Sequence, residues 1–168
     1  MSTTLNKYSW IVMLLPLLSA CRIYSFSGAD ISGAKEFSVD FFRSQTPLAG
    51  PGFSQQFTES LKDLILSQSS LKLVTGKGQL QYEGSIVDYR IAPVGVQSSE
   101  TAAQNRLTVV VKVKYTNSKE PDKSFDRSFS KFVDYDSSFD LLTLENQLNR
   151  DLIEQLTQEI FNASVGNW

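Results

Sequence analysis

The chain lacks histidine altogether, contains one cysteine in 168 residues and has no basic tract. Without histidine, the Ser-His-Asp and Cys-His machineries of nucleophilic catalysis are excluded. The same absence, together with a single thiol, argues against a transition-metal site, because imidazole and thiolate are the usual ligands there. A formal net charge of −2 argues against nucleic acid as the main partner. We therefore expect a protein that is not an enzyme and that holds no cofactor or metal.

Long apolar runs are also missing, and the most apolar segment lies near the N-terminus. Lys7 precedes the segment Trp10–Leu18, which is apolar throughout. This segment is too short to cross a bilayer core of about 30 Å, because a spanning helix needs roughly 20 apolar residues. A basic residue followed by a short apolar segment is typical of a secretory signal. Residues 1–20 are therefore predicted to be a signal peptide that is removed.

The single cysteine, Cys21, ends the run Leu18-Ser19-Ala20-Cys21 directly after this segment. A leucine three residues before a cysteine, with two small residues between, is typical of the bacterial lipobox. There the thiol becomes a thioether to diacylglycerol, and two or three acyl chains together give stable attachment to a membrane. A lone thiol can form no internal disulfide, so lipidation would also account for it. We expect Cys21 to carry the lipid; the alternative is an ordinary secretory signal with an incidental cysteine.

Residues 21–35 are predicted to form a tether, since serine, glycine and alanine dominate their composition. The apolar residues Ile23, Tyr24 and Phe26 interrupt it. These three side chains could dock on the domain, on a partner or at the membrane interface, and the sequence does not choose between them. Residues 36–168 have the length of one ordinary domain.

Two segments have apolar residues at three- and four-residue spacing, which indicates amphipathic helices. The first is predicted over Phe53 to Leu71. The second is predicted to reach about Ala163, with Asp136-Ser137-Ser138 capping its start. The apolar positions are Phe53, Phe57, Leu61, Leu64 and Ile65 in the first helix, and Leu141, Leu144, Leu148, Leu152, Leu156 and Ile160 in the second.

Four segments alternate between apolar and polar residues, which is the period of a half-buried strand. They are predicted at about Phe37 to Phe42, Leu80 to Ala92, Leu107 to Tyr115, and Ser124 to Asp134. In the last of these, Arg127 and Lys131 fall on the apolar side of a strict alternation. A bulge or an edge position in the sheet would relieve that conflict.

The element order is therefore β-α-β-β-β-α. A strand, a crossover helix and a second strand favour a parallel pair, and hairpin connections then add antiparallel strands. Both helices need an apolar surface, which the sheet supplies. The predicted fold is a two-layer α/β sandwich, in the α+β class, with a four-stranded mixed sheet packed against two helices.

Two groups of charged residues are candidates for a functional site. Lys112 and Lys114 project from the same face of the third strand, and Lys119 and Lys123 lie in or beside the following hairpin loop. This group could contact a phosphorylated glycolipid, or it could be a solvated face or a protected sheet edge.

The second group is Asp134-Tyr135-Asp136, which places two carboxylates near each other. A catalytic pair is one interpretation; helix capping and solvation are the favoured one.

The chain resembles the LptE-type lipopolysaccharide-assembly lipoproteins in the form found in Bacteroidota. The resemblance covers essentially residues 21–168 and depends on the order and spacing of several motifs. These motifs are Cys21-Arg22-Ile23-Tyr24-Ser25-Phe26-Ser27-Gly28, residues 84–94 (GSIVDYRIAPV), residues 105–115 (NRLTVVVKVKY), residues 129–138 (FSKFVDYDSS) and residues 160–168 (IFNASVGNW).

The resemblance implies a function that composition does not. Members of that family sit at the periplasmic face of the outer membrane, plug the lumen of an LptD-type β-barrel, help it assemble and help move lipopolysaccharide to the outer leaflet. It also implies partners: the barrel, lipopolysaccharide and, through the lipid anchor, the membrane. Arg22 after the cysteine favours sorting to the outer membrane. The alternative is a stand-alone periplasmic lipoprotein that acts as chaperone or pilot for another secretion pore.

Overall fold

The computed structural model describes residues 29–94 and 103–166. The predicted signal peptide, Cys21, the tether aromatics and most of the loop between the second and third predicted strands lie outside them. The elements in chain order are β1 (Glu36–Val39), β2 (Arg43–Ser44), α1 (Pro51–Gln68), β3 (Lys72–Leu73), β4 (Leu80–Val94), β5 (Gln104–Asn117), a 3-10 turn (Pro121–Lys123), β6 (Phe125–Asp136) and α2 (Leu141–Val165).

The strands form one mixed sheet in the order β3-β1-β4-β5-β6, with β2 also paired to β4. The parallel pair predicted across the first helix is confirmed, because β1 runs parallel to β4. Strands β4, β5 and β6 then form a long antiparallel meander. The predicted two-layer sandwich of two helices on a mixed sheet is confirmed. The described part of the sheet has six strands rather than four, because β2 and β3 are additional two-residue strands.

The core lies between the two helices and one face of the sheet, as the apolar spacing predicts. Each fully buried aliphatic or aromatic side chain contributes about 1.5–3 kcal/mol by leaving water. The helices bury Phe53, Phe57, Leu61, Ile65, Leu148, Leu152, Leu156 and Ile160, and the sheet buries Phe37, Tyr82, Ile86, Leu107, Val109, Val111 and Val113.

Two buried tyrosines of β4 join the sheet to α2 through their hydroxyl groups. The Oη atom of Tyr82 lies 2.9 Å from Oγ of Ser164, and the hydroxyl of Tyr89 donates to Oδ1 of Asn149 at 3.0 Å. Burial raises the pKa of Tyr82, and burial raises the pKa of Tyr89 to about 12. Both phenols therefore stay protonated at neutral pH and can serve as hydrogen-bond donors inside the core.

The prediction that one strand continues to Phe42 is wrong at its C-terminal end. The ladder of β1 ends at Val39, and pairing to β4 resumes only with β2. Between these strands the side chains do not alternate with a period of two, so Phe41 is 51% exposed while Phe42 is fully buried. A one-residue change of phase exchanges the two faces of a strand. An alternation that starts at Phe37 places Phe41 on the apolar face, so it selects the wrong one of these two phenylalanines for the core.

The start of the second helix also differs from the prediction. Helix α2 begins at Leu141 and its N-cap is Asp140, whose Oδ1 accepts from the amide of Leu142 at 3.1 Å. Asp136 instead ends β6, and its Oδ1 accepts from the amide of Ser138 at 2.8 Å in the preceding turn. Either aspartate could cap a helix with its side-chain oxygen. Because β6 extends as far as Asp136, it is Asp140 that caps α2.

Residues 29–35, the second part of the predicted tether, pack on the domain, and the first two of them contact the end of α2. Ala29 forms an antiparallel bridge with Gly166, and the amide of Asp30 donates to the carbonyl oxygen of Val165 at 2.6 Å. Ala34 is only 2% exposed and belongs to the core. The two ends of the described chain therefore lie side by side.

Candidate partner-binding surface

The face of β4, β5 and β6 opposite the helices carries mostly polar and charged side chains; we call it the open face. In the antiparallel register its residues come into cross-strand rows, because side chains alternate between the two faces of a strand. The main open-face residues are Glu83, Ser85, Asp88 and Arg90 of β4, Arg106, Thr108, Lys112 and Lys114 of β5, and Asp126, Ser128, Ser130, Phe132 and Asp134 of β6.

The structure brings Lys112 and Lys114 together on the open face, as the alternation of β5 predicts. Each lysine has an acidic neighbour: Nζ of Lys112 lies 3.4 Å from Asp126, and Nζ of Lys114 lies 3.5 Å from Glu83. Both lysine side chains are more than half exposed. Such exposed pairs contribute only about 0–1 kcal/mol. Either lysine can therefore exchange its intramolecular partner for an anionic group on a bound molecule at little cost.

The strongest ion pair on the open face was not predicted from the sequence. The guanidinium of Arg106 forms two parallel hydrogen bonds to Asp134, at 2.7 and 2.8 Å, which is the strong bidentate arrangement. The same guanidinium lies 3.8 Å from the ring centroid of Phe132, which is itself half exposed. Because the two partners are far apart in sequence, only the strand register of β5 and β6 could have identified the pair.

The Arg106–Asp134 pair predicts how stability responds to acid. The hydrogen bonds from Arg106 lower the pKa of Asp134 below its ordinary value of 3.8. A lowered carboxyl pKa contributes stability above the ordinary value, and this contribution is lost as the pH falls through the lowered one. Asp134→Asn should therefore flatten the decrease of unfolding free energy below pH 3.8, measured by urea unfolding at several pH values.

The size of this effect is limited, because Asp134 is about a quarter exposed and solvent screens the pair. The matched control is Asp63→Asn, which makes the same change on the exposed face of α1 and with which the acid slope of Asp134→Asn is compared. Equal slopes for Asp134→Asn and the wild type would contradict the expectation.

Strand β6 lies at one edge of the described sheet. This position accounts for Arg127 and Lys131, the two cations on its apolar face. Arg127 lies over the rings of Phe125 and Phe129, 4.7 Å from each centroid. Lys131 reaches α2, where its Nζ lies 3.0 Å from Glu159. Inward-facing charges on an edge strand hinder pairing with another chain. Of the two alternatives for this strand, a bulge or an edge position, the structure shows the edge position.

The loop lysines are placed differently from the two on β5. Nζ of Lys123 lies 2.6 Å from Asp30 and 2.8 Å from Glu120. The hydrogen bonds that Lys123 donates to these carboxylates raise its pKa. Lys119 is exposed, and its amide donates to Oδ1 of Asn117 at 2.9 Å. Lys123 therefore links the start of the described chain to the hairpin of β5 and β6 by ion pairs, while Lys119 is a solvent-exposed cation.

Asp134 and Asp136, for which a catalytic pair is the less favoured interpretation, both favour their ionised form. Hydrogen bonds from Arg106 lower the pKa of Asp134, and hydrogen bonds from Ser138 lower the pKa of Asp136. A general acid needs the opposite shift, since it must hold its proton near neutral pH. In the described ranges, no three acidic or cysteine side chains come together in a way that would hold a metal ion. Ion pairing and turn formation account for both carboxylates.

Comparison with solved structures shows which class of protein has this fold. A minor lipoprotein from Acinetobacter baumannii is similar, with a TM-score of 0.51 and 14% identity over 77% of this chain and 91% of its own. A hypothetical protein from Chlamydia trachomatis is similar with a TM-score of 0.52 and 8% identity, over 80% of this chain and 99% of its own. No curated protein matches the sequence closely. The fold is thus the two-layer α/β fold of small bacterial proteins that include a lipoprotein.

The family of this chain is identified by its sequence. The profile of the lipopolysaccharide-assembly family LptE matches residues 34–164. This range spans most of the chain and contains all six strands, helix α1 and all of helix α2 except its last residue. The chain belongs to the LptE family. That family consists of non-catalytic lipoproteins that take part in lipopolysaccharide assembly. No helix in the described ranges is both long enough and apolar enough to cross a membrane.

Proposed function

We propose that this protein is the lipoprotein subunit of an outer-membrane lipopolysaccharide translocon. In this proposal residues 1–20 are removed, Cys21 carries the lipid and the domain is held at the periplasmic face of the outer membrane. There it plugs an LptD-type β-barrel, assists its assembly and supports insertion of lipopolysaccharide into the outer leaflet. The observation that carries the proposal is the family match over residues 34–164.

The character of the open face supports a plug that works inside a barrel. The lumen of a transmembrane barrel is polar, so a plug must present polar rather than apolar surface to it. Ion pairs such as Arg106–Asp134 and Lys112–Asp126 keep the open face polar while leaving it nearly neutral. The protected edge at β6 suits the same role, since a plug that paired its edge with nascent barrel strands would disturb their assembly.

The proposal is tested by depletion and by recovery of the partner. Depleting the protein should leave the barrel misassembled and reduce lipopolysaccharide at the cell surface. Affinity recovery of the tagged, full-length protein from outer membranes should bring down an LptD-type barrel in near-equal amount. Normal barrel and lipopolysaccharide levels after depletion would overturn the proposal. Recovery of a different secretion pore in stoichiometric amount would instead identify a pilot or chaperone.

The lysines of the open face provide a site-specific prediction. Lys112→Glu combined with Lys114→Glu should reduce recovery of the barrel or of lipopolysaccharide about tenfold or more, because like charges placed opposite one another in an interface cost several kcal/mol. The measurement is quantitative recovery of both partners from solubilised outer membranes. Single reversals at Lys119 and Lys123 test the loop lysines in the same assay.

The matched control is Lys72→Glu combined with Lys77→Glu, which makes the same change of charge at exposed positions outside the open face. Thermal unfolding of both double variants separates a binding defect from a folding defect. This check is needed because Lys112 and Lys114 lie beside acidic residues, which would repel the introduced carboxylates. If both double variants recover the partners equally well, these lysines serve solvation only.

A further inference from the structure

Strand β4 is paired along its whole length on one side only. On the other side β1 and β2 run parallel to it, and the last residue of β4 in that pairing is Ile86. Beyond Ile86, no strand of the described residues pairs with β4 on the side away from β5. The sheet therefore has a free edge from Asp88 to Val94, which we call the β4 edge.

The phase of the ladder between β4 and β5 shows which backbone groups face this edge. The carbonyl oxygen of Ile86 accepts from the amide of Gln45 at 2.8 Å, so it points away from β5. Ile86 and its partner Val111 therefore form a wide pair, without hydrogen bonds between them. Wide pairs alternate with hydrogen-bonded pairs along an antiparallel ladder.

This alternation continues along the β4 edge, because the irregularity that follows Ile86 adds a residue to β4 and none to β5. The next wide pair along β5 is that of Val109 with Tyr89, and the following one is that of Leu107 with Ile91. The amide and carbonyl groups of Tyr89 and Ile91 thus point away from β5. Within the described part of the chain they form no backbone hydrogen bond to another segment.

The side chains of the β4 edge leave it open to a further strand. Ile91, Ala92 and Pro93 follow one another and are all exposed. Pro93 has the same phase as Ile91, so its ring removes an amide hydrogen only from the free side. Exposed apolar edge strands pair readily with other chains, whereas an inward-facing charge such as Lys131 hinders pairing at the β6 edge. The helix-side residues of the β4 edge carry no charge.

Two arginines lie beside the β4 edge. Arg90 is paired with Asp88 on the open face, and its side chain is 62% exposed. An exposed pair of this kind contributes little, so Arg90 can take another carboxylate. Arg43 of β2 is exposed and forms no ion pair with the residues that the structure describes. Two guanidinium groups and one carboxylate favour a partner with acidic side chains.

We propose that the β4 edge binds a short extended segment of a partner protein, which adds a strand to the sheet and carries acidic side chains. Tyr89 and Ile91 exchange backbone hydrogen bonds with this segment, as in other cases of strand addition. A strand of a transmembrane barrel has about 9–11 residues, which is longer than the edge from Asp88 to Val94. The edge therefore suits a loop or a chain terminus. This inference does not rest on the proposed function, and its test needs no barrel.

The test is titration calorimetry on the full-length protein in a nonionic detergent, with a short synthetic peptide in which valine and glutamate alternate. A peptide with lysine in place of glutamate should bind about tenfold more weakly or worse, because like charges repel across an interface. Arg43→Gln should weaken the glutamate peptide about threefold, the effect of one exposed ion pair. Lys77→Gln removes the same charge from the turn before β4 and should bind like the wild type.

Two methylated peptides test the geometry without changing the protein. One is N-methylated at its valines and the other at its glutamates. Successive residues of a strand direct their amides to opposite sides, so only one of the two sets faces β4. One methylated peptide should therefore bind like the parent, and the other should bind about tenfold more weakly or worse, because several hydrogen bonds are lost. Equal binding by the two methylated peptides would overturn strand addition.

Ile91→Pro places the site on the β4 edge, because it removes an amide hydrogen from the free side and none from the ladder with β5. It should weaken binding of the glutamate peptide about tenfold, by the lost hydrogen bond and the bulk of the ring. The matched control is Ile91→Val, which keeps the amide and should bind like the wild type. Thermal unfolding checks that the proline variant is folded; if it is not, Ile91→Lys, which adds an inward-facing charge, replaces it.

Three outcomes contradict the proposal. Wild-type binding by the folded Ile91→Pro or Ile91→Lys variant would overturn the β4 edge as the site. Failure of the glutamate peptide to bind would overturn the acidic segment. A dimer of the wild type in sedimentation that Ile91→Pro abolishes, without peptide binding, would instead assign the edge to a second copy of this chain.

Discussion

Gly84→Ala is expected to lower the free energy of unfolding by about 3 kcal/mol, and Gly84→Val by more, because neither side chain has room. Gly84 lies in the middle of β4 opposite Val113. An ideal Cβ there would overlap the carbonyl oxygen of Lys112 and lie 2.6 Å from Cε1 of Phe42. The first obstacle is backbone of the central strand β5, which cannot turn aside as a side chain can. Urea unfolding followed by circular dichroism measures the loss.

The control for this prediction is Gly52→Ala in the first turn of α1. Nothing lies within 4 Å of a Cβ at that position. Alanine is favoured over glycine in helices by up to about 1 kcal/mol, so this variant should be as stable as the wild type or slightly more stable. Similar unfolding midpoints for the two alanine variants would mean that β4 and β5 can separate locally, against the expectation.

Phe42→Ala should cost about 3–5 kcal/mol, whereas Phe41→Ala should cost less than about 0.5 kcal/mol. Phe42 is fully buried, and its ring centroid lies 5.1 Å from that of Phe57 in α1. Its removal would leave a cavity above Gly84 that the rigid sheet cannot fill. Phe41, the adjacent residue of the same type, is 51% exposed and serves as the matched control.

Unfolding curves of the two phenylalanine variants decide this prediction. Equal losses would contradict the change of phase between β1 and β2 that buries Phe42 and exposes Phe41. Phe42→Ala should also fail to rescue Gly84→Ala, because the Lys112 carbonyl would still block the new methyl group.

The long elements could be predicted from the sequence because their periodicity persists over many residues. Strand β5 alternates from Leu107 to Tyr115, and the leucines of α2 step by three or four for several turns, so a single exception does not change the pattern. Strands β2 and β3 have two residues each and show no period. The exchange of Phe41 and Phe42 arises in the same way, since the change of phase falls between two short ladders.

The candidate surface was only partly predictable for a related reason. Lys112 and Lys114 share a face because they lie two residues apart on one strand, which is a local property. The pairing of Arg106 with Asp134 depends on the register of two strands. Such arrangements have no signal within a short stretch of sequence.

The contact between Ala29 and Gly166 has a mechanical consequence. A pull on residue 29 is transmitted directly to the last turn of α2 through the bridge and the Asp30–Val165 hydrogen bond, and to the hairpin through Lys123. These few bonds would break one after another under load, before the long ladders of β4, β5 and β6 carry any force. Tension at this end would therefore peel the first residues away and leave the sandwich intact.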